Sequence, residues 1–119
     1  MERAPLYDNW WVPDVAAVIA KGLDSSVGCV IASLTADINF TKLIIAVSYL
    51  QNPDVLFLGT NTDSMLPIGK GCFAPGDGAF VAAVEAGACR TPPILGKPEK
   101  YMFEVIRACL LYTSDAADE

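Results

Sequence analysis

The chain of 119 residues contains no histidine. That absence excludes Ser-His-Asp and Cys-His catalysis within these residues, together with the commonest zinc ligand sets. Chemistry here must come from carboxylates, lysine, hydroxyls or backbone amides. Basic residues are also scarce: eight Lys and Arg against fourteen Asp and Glu leave a formal charge of −6, and nowhere do they cluster. A nucleic-acid groove or an anionic membrane surface needs such a cluster, so neither nucleic acid nor membrane is an expected partner. No apolar run approaches the length of a bilayer span, and the first residues lack the basic-then-apolar order of a signal peptide. The four cysteines, Cys29, Cys72, Cys89 and Cys109, are far apart and lack the close pairing that zinc sites use. They read as reduced thiols of a cytoplasmic protein.

What the chain has in quantity is apolar side chain, 53% of its residues, ample for the core of one domain or for pieces of two. Residues 1–12 show no usable period, and the adjacent Trp10 and Trp11 read as packing. Asp14 to Lys21 is spaced as a short helix with Val15, Val18 and Ile19 inward and Gly22 as its stop. Val27 to Leu34 is apolar on both faces, as a parallel strand covered by helices would be. Asn39 suits the N-cap of a helix over Phe40 to Leu50, which Asn52-Pro53 ends, and Val55 to Leu58 is the next buried strand. This is a strand-helix-strand unit.

The polar loop Gly59-Thr60-Asn61-Thr62-Asp63-Ser64 follows at a strand's carboxyl end and is one candidate site. Asn and Asp there also serve as turn residues that bond their own backbone. Met65 to Pro75 reads as a turn around Gly69 and Gly71 with a short extended piece. Gly76-Asp77-Gly78 opens a helix from Ala79 to Ala88 with Phe80, Val81 and Val84 on its apolar face. Lacking the third glycine of the dinucleotide fingerprint, this triplet reads as a hinge between two blocks.

The second candidate site is the more pointed one. Ile94-Leu95-Gly96-Lys97-Pro98 is a short apolar run, flanked by Pro92 and Pro93, that stops at a glycine and presents one lysine. A helix over Glu99 to Ala108 follows, with Met102, Phe103, Val105 and Ile106 inward. In an open α/β sheet, ligands sit outside the carboxyl ends of strands. A lysine there supplies a compact charge for a phosphate or carboxylate.

In this order, Tyr49-Leu50-Gln51-Asn52-Pro53-Asp54, Gly59-Thr60-Asn61-Thr62-Asp63, Gly76-Asp77-Gly78 with Val81-Ala82-Ala83-Val84-Glu85, and Gly96-Lys97-Pro98 with Tyr101-Met102-Phe103 resemble the haloacid dehalogenase superfamily. The likeness, over Leu23 to Ala108, is to its phosphoglycolate and para-nitrophenyl phosphatase subfamily. It implies an α/β fold: part of an inserted α/β cap domain over residues 1–74, then a piece of a Rossmann-like core over 75–108. It also implies an aspartyl-phosphate mechanism with Mg2+ as cofactor, a small phosphorylated metabolite as substrate, and a homodimer formed through the cap. Lys97 matches the third-motif lysine, which holds nucleophile and phosphate together. Asn61 and Asp63 match the cap motif Thr-Asn-x-Asp, on the substrate-binding side.

Two departures qualify this. The nucleophile motif and the metal-binding acidic motif have no counterpart in these residues, so the Mg2+ ligands are expected outside the chain and the stretch alone should not hydrolyse phosphate. Where the family carries Gly-Phe-Asp after the first cap strand, Ser33, Leu34 and Thr35 stand here. Cys109 to Glu119 resembles a reading frame of a transposase sequencing adapter, which would make the chain a fragment with an adapter-derived tail. The competing expectation is a non-catalytic α/β binding or dimerisation module.

Overall fold

The computed structural model describes residues 13–96 and 100–117. Its elements are α1 (Pro13–Lys21), β1 (Cys29–Ala32), α2 (Phe40–Tyr49), β2 (Leu56–Gly59), β3 (Met65–Gly69), β4 (Cys72–Pro75), α3 (Asp77–Ala88) and α4 (Lys100–Ala117). The α/β class expected from the sequence is the one found.

The first block forms as its residues dictate. Helix α1 ends at Gly22, whose φ of +73° turns the chain while its N–H bonds Val18 O at 3.0 Å. Asn39 is extended and its Oδ1 accepts from the Lys42 N–H at 2.8 Å, satisfying one of the free donors at the start of α2. Strands β1 and β2, joined through α2, pair in parallel with Cys29 opposite Leu56 and Ala32 opposite Gly59. The sheet gains a third position beside β2, where Gly59 bridges Ile94 in parallel. Gly59 N–H bonds Pro93 O at 3.0 Å and Leu95 N–H bonds Gly59 O at 2.9 Å. The strand expected at Ile94-Leu95 goes no further than this bridge. Pro92 and Pro93 have no N–H, so the ladder cannot extend toward them.

Between β2 and that third position lie a hairpin and a helix. Strands β3 and β4 pair antiparallel around Gly69, Lys70 and Gly71, all at positive φ. The extended piece expected here is therefore one arm of a two-stranded hairpin. Helix α3 starts at Asp77, two residues earlier than the sequence suggests, and buries Val81, Val84 and Ala88.

One hydrophobic cluster unites β1, α2, β2 and α3: Ala32, Leu50, Val55 and Phe57 with Val81, Val84 and Ala88, flanked by Leu43, Ala46, Tyr49 and Ile94. The division expected at residues 74 and 75 therefore does not coincide with a break in packing. Side chains from both sides of it share a core, and α3 packs on α2 and β1. Nor is Gly76-Asp77-Gly78 a free hinge. Gly76 is buried, and a Cβ at Gly76 or Gly78 would collide with the backbone of Asp63 or Thr62. These glycines are required by close approach of the helix start to the β2 loop.

Two expectations of burial are corrected. Ile31 is 61% exposed and Leu56 60%, so one face of the sheet lacks a covering layer among the described residues. In α4, Phe103 is 67% exposed and Val105 63%, and Met102 and Ile106 are also exposed, so the residues expected inward face solvent. An amphipathic helix buries its apolar stripe only where a second layer meets it. The helix also continues to Ala117, past the limit expected at Ala108. Trp10 and Trp11 lie outside the described residues.

Candidate active site at the strand ends

The carboxyl ends of β1, β2 and the Ile94 bridge converge on one edge of the sheet, and three segments leave from it: Ser33 to Thr35, Thr60 to Asp63, and Leu95 to Gly96. Backbone bonds lace them together. Thr60 N–H donates to Ala32 O at 3.1 Å, and Gly96 N–H donates to Thr60 O at 2.7 Å. Gly96 is buried against that carbonyl, which leaves no room for a Cβ.

The start of α3 enters the same place. Asp77 Oδ1 accepts the Leu34 N–H at 2.9 Å. Its Oδ2 accepts from the Thr60 hydroxyl at 3.2 Å and from Asn61 Nδ2. The Thr60 hydroxyl also lies 3.3 Å from Ser33 Oγ and 3.4 Å from Ala32 O. With one proton to give, it goes to the nearest and charged acceptor, the Asp77 carboxylate. Gly78 N–H donates to Asp63 O at 2.8 Å and Gly76 N–H to Ser64 O at 3.1 Å. Two of the amides at this helix start are thus taken by the loop rather than offered to an anion.

The residues singled out in the sequence fare differently. Asn61 is half-buried and fully engaged: its amide donates to Asp77 and its Oδ1 accepts the Asp63 N–H at 2.9 Å. Asp63 is exposed, and its backbone, not its carboxylate, makes the contacts. Both residues are therefore in turn geometry. Lys97 lies outside the described residues. The residue before it in the sequence, Gly96, is held by the bond from its N–H to Thr60 O. Thr60 lay within the candidate loop, but neither its side chain nor Asp77 was singled out in the sequence. An acidic residue in the first turn of a helix beside two glycines, and a hydroxyl ending an apolar strand, were the available signals.

Around this edge two further features set the electrostatics. Asp37, in the loop after β1, accepts from Lys42 Nζ and from Thr35 Oγ1, both at 2.7 Å. These bonds, that of Lys42 foremost, lower its carboxyl pKa to about 2. An open apolar groove of about 710 Å3 lies beside Thr60, Leu95 and Gly96, with Tyr101, Met102 and Val105 of α4 as its other wall. Among the described residues, no group of three His, Cys, Asp or Glu side chains could hold a metal ion. The carboxylate that reaches the strand ends, Asp77 at the start of α3, is committed to its donors. These residues do not fit a magnesium centre.

No family model matches the chain. It is 40% identical over 88 residues to glycerol-3-phosphate phosphatase of Rattus norvegicus, covering 74% of this chain and 27% of that protein. It is 41% identical over 87 residues to 4-nitrophenylphosphatase of Schizosaccharomyces pombe, covering 73% and 29%. Among solved structures, a hypothetical protein of Pyrococcus horikoshii superposes with a TM-score of 0.64 at 36% identity, over 70% of this chain and 31% of that one. The thermostable p-nitrophenylphosphatase of Bacillus stearothermophilus superposes with a TM-score of 0.59 at 31% identity, over 65% and 29%. The chain is homologous to phosphatases of the haloacid dehalogenase type. Within them the likeness falls in the 4-nitrophenylphosphatase and glycerol-3-phosphate phosphatase group that its motifs resemble. It spans somewhat over a quarter of the length of these curated relatives.

Proposed function

We propose that this chain supplies the strand-end lysine of a magnesium-dependent phosphomonoester hydrolase that works through an aspartyl-phosphate. The carrying observation is the convergence of the ends of β1, β2 and the Ile94 bridge, at which the Gly96 N–H is pinned to Thr60 O, one residue before Lys97 in the sequence. In this reading the Lys97 ammonium meets the phosphate oxygens as charge develops on them, the electrostatic part of phosphoryl transfer. Asn61 and Asp63 shape the loop beside the substrate through their turn bonds rather than by direct charge. Magnesium would neutralise phosphate charge when bound. Its ligands and the nucleophile belong to motifs that these residues do not contain, so no step is derived through them. The substrate class is a small phosphomonoester, in keeping with the names of the relatives. The location we propose is cytoplasmic.

The test is a chimaera in which residues 23–108 replace the matching stretch of the Schizosaccharomyces pombe 4-nitrophenylphosphatase. It should hydrolyse 4-nitrophenyl phosphate, lose turnover on chelation and regain it with magnesium. Lys97→Ala should lower kcat by about 10²- to 10³-fold, as loss of one well-placed electrostatic group does. Undiminished turnover in Lys97→Ala would rule the assignment out.

A further inference from the structure

The geometry points to Asp77 as a positioning residue of this site: its carboxylate brackets the loops leaving β1 and β2 and, through Thr60, sets where the Leu95–Gly96 peptide lies. The functional meaning of this assignment rests on the phosphatase reading, but its physical content does not.

Asp77 spends both oxygens on the two loops. Oδ1 holds the Leu34 N–H at 2.9 Å, while Oδ2 holds the Thr60 hydroxyl at 3.2 Å and the Asn61 amide. The helix turn that carries it is itself anchored on either side, by Gly76 N–H to Ser64 O and Gly78 N–H to Asp63 O. The side chain is thus fixed before it grips anything. Thr60 then passes the constraint on, because its carbonyl accepts the Gly96 N–H at 2.7 Å. Two loops from different strands have only weak local reasons to keep a common register. A charged acceptor shared between them supplies one, and charge-assisted bonds of this kind are the strong ones. Asp77 itself touches no reacting group. Its oxygens are occupied, so its contribution is geometric.

Asp77→Asn is nearly isosteric yet chemically wrong on one side. A carboxamide has a single oxygen, so it must turn its NH2 either toward the Leu34 N–H or toward the Thr60 and Asn61 donors. Amide exchange in the intact chain reads the consequence. The Gly96 and Leu34 amides should exchange about tenfold faster or more in Asp77→Asn, while Leu43, bonded to Asn39 O, and Val55, bonded to Asn52 O, keep their parent rates. Thr60→Val, which removes one donor only, should accelerate Gly96 by a smaller factor. Unchanged exchange at Gly96 in both variants overturns the assignment. Should Asp77→Asn loosen all four amides together, Thr60→Val decides: faster exchange confined to Gly96 upholds the bracket, and a parent rate at Gly96 overturns it. A failure of the phosphatase reading looks different. In that case Lys97→Ala leaves chimaera turnover intact while the exchange pattern stands.

Discussion

At the opposite end of the sheet from the candidate site, one guanidinium does the work that a network does at the strand ends. Arg90 follows Cys89, which closes α3 in the left-handed region at φ +55°. Its Nη1 donates to Leu50 O at 3.1 Å and to Asn52 O at 3.4 Å, and its Nη2 to Val55 O at 2.9 Å. These carbonyls belong to the turn between α2 and β2, which α2 itself cannot satisfy. Arg90→Ala should therefore cost about 1.5–3 kcal/mol locally, the range for hydrogen bonds to a charged group. Faster exchange of the Asn52 and Val55 amides would register it, and unchanged exchange would contradict it. Residue-level legibility in the sequence was uneven. Asn39 as a cap was readable because its bond is local, three residues along the chain. Arg90 and Asp77 were not, because their partners lie 35 to 40 residues away for Arg90 and 16 to 43 for Asp77. Spacing carries no trace of such pairs.

At the scale of elements, periodicity identified α1, α2, β1, β2 and α3, all of which bury or half-bury part of an apolar face. It misplaced the start of α3 because Gly76 and Gly78 look like breakers, whereas the loop at Thr62 and Asp63 demands them. It found α4 but not its exposure, since a pattern shows which residues want cover and not whether cover is present. The entry to α2 offers a pH test. The pKa of Asp37 is lowered from 3.8 to about 2, chiefly by the bond from Lys42. A depressed folded-state value means that the pair's contribution is fully present above the unfolded value and is lost as pH falls from about 4 through about 2. A carboxyl titration followed by NMR should give a midpoint near 2 that rises toward the ordinary value with added salt or in Lys42→Ala. A midpoint near 4 in dilute buffer would contradict the pairing.

On the scale of the whole molecule, the exposed apolar surface is the dominant fact. Among the described residues the fully buried large side chains reduce to Leu50, while Ile31, Leu56, Ile68, Phe73 and Phe103 are each at least 58% exposed. The radius of gyration is 18.9 Å, against about 13–14 Å for a compact domain of this length. Among the described residues, a parallel sheet exposed on one face and an apolar helix exposed along its length leave too little core for their number. The isolated chain is expected to melt gradually and to bind a hydrophobic dye before heating. A sharp, cooperative transition would refute this. The Mg2+ dependence and the cap-mediated homodimer remain proposals of the same reading. The most direct test of that reading is a crystal structure of the chimaera with orthovanadate in the site. The account predicts Lys97 Nζ within about 2.7–3.1 Å of a vanadate oxygen, on the strand-end side formed by Thr60 and Gly96. An ammonium turned to bulk solvent on the far side of the sheet, with vanadate held by other groups, would contradict it.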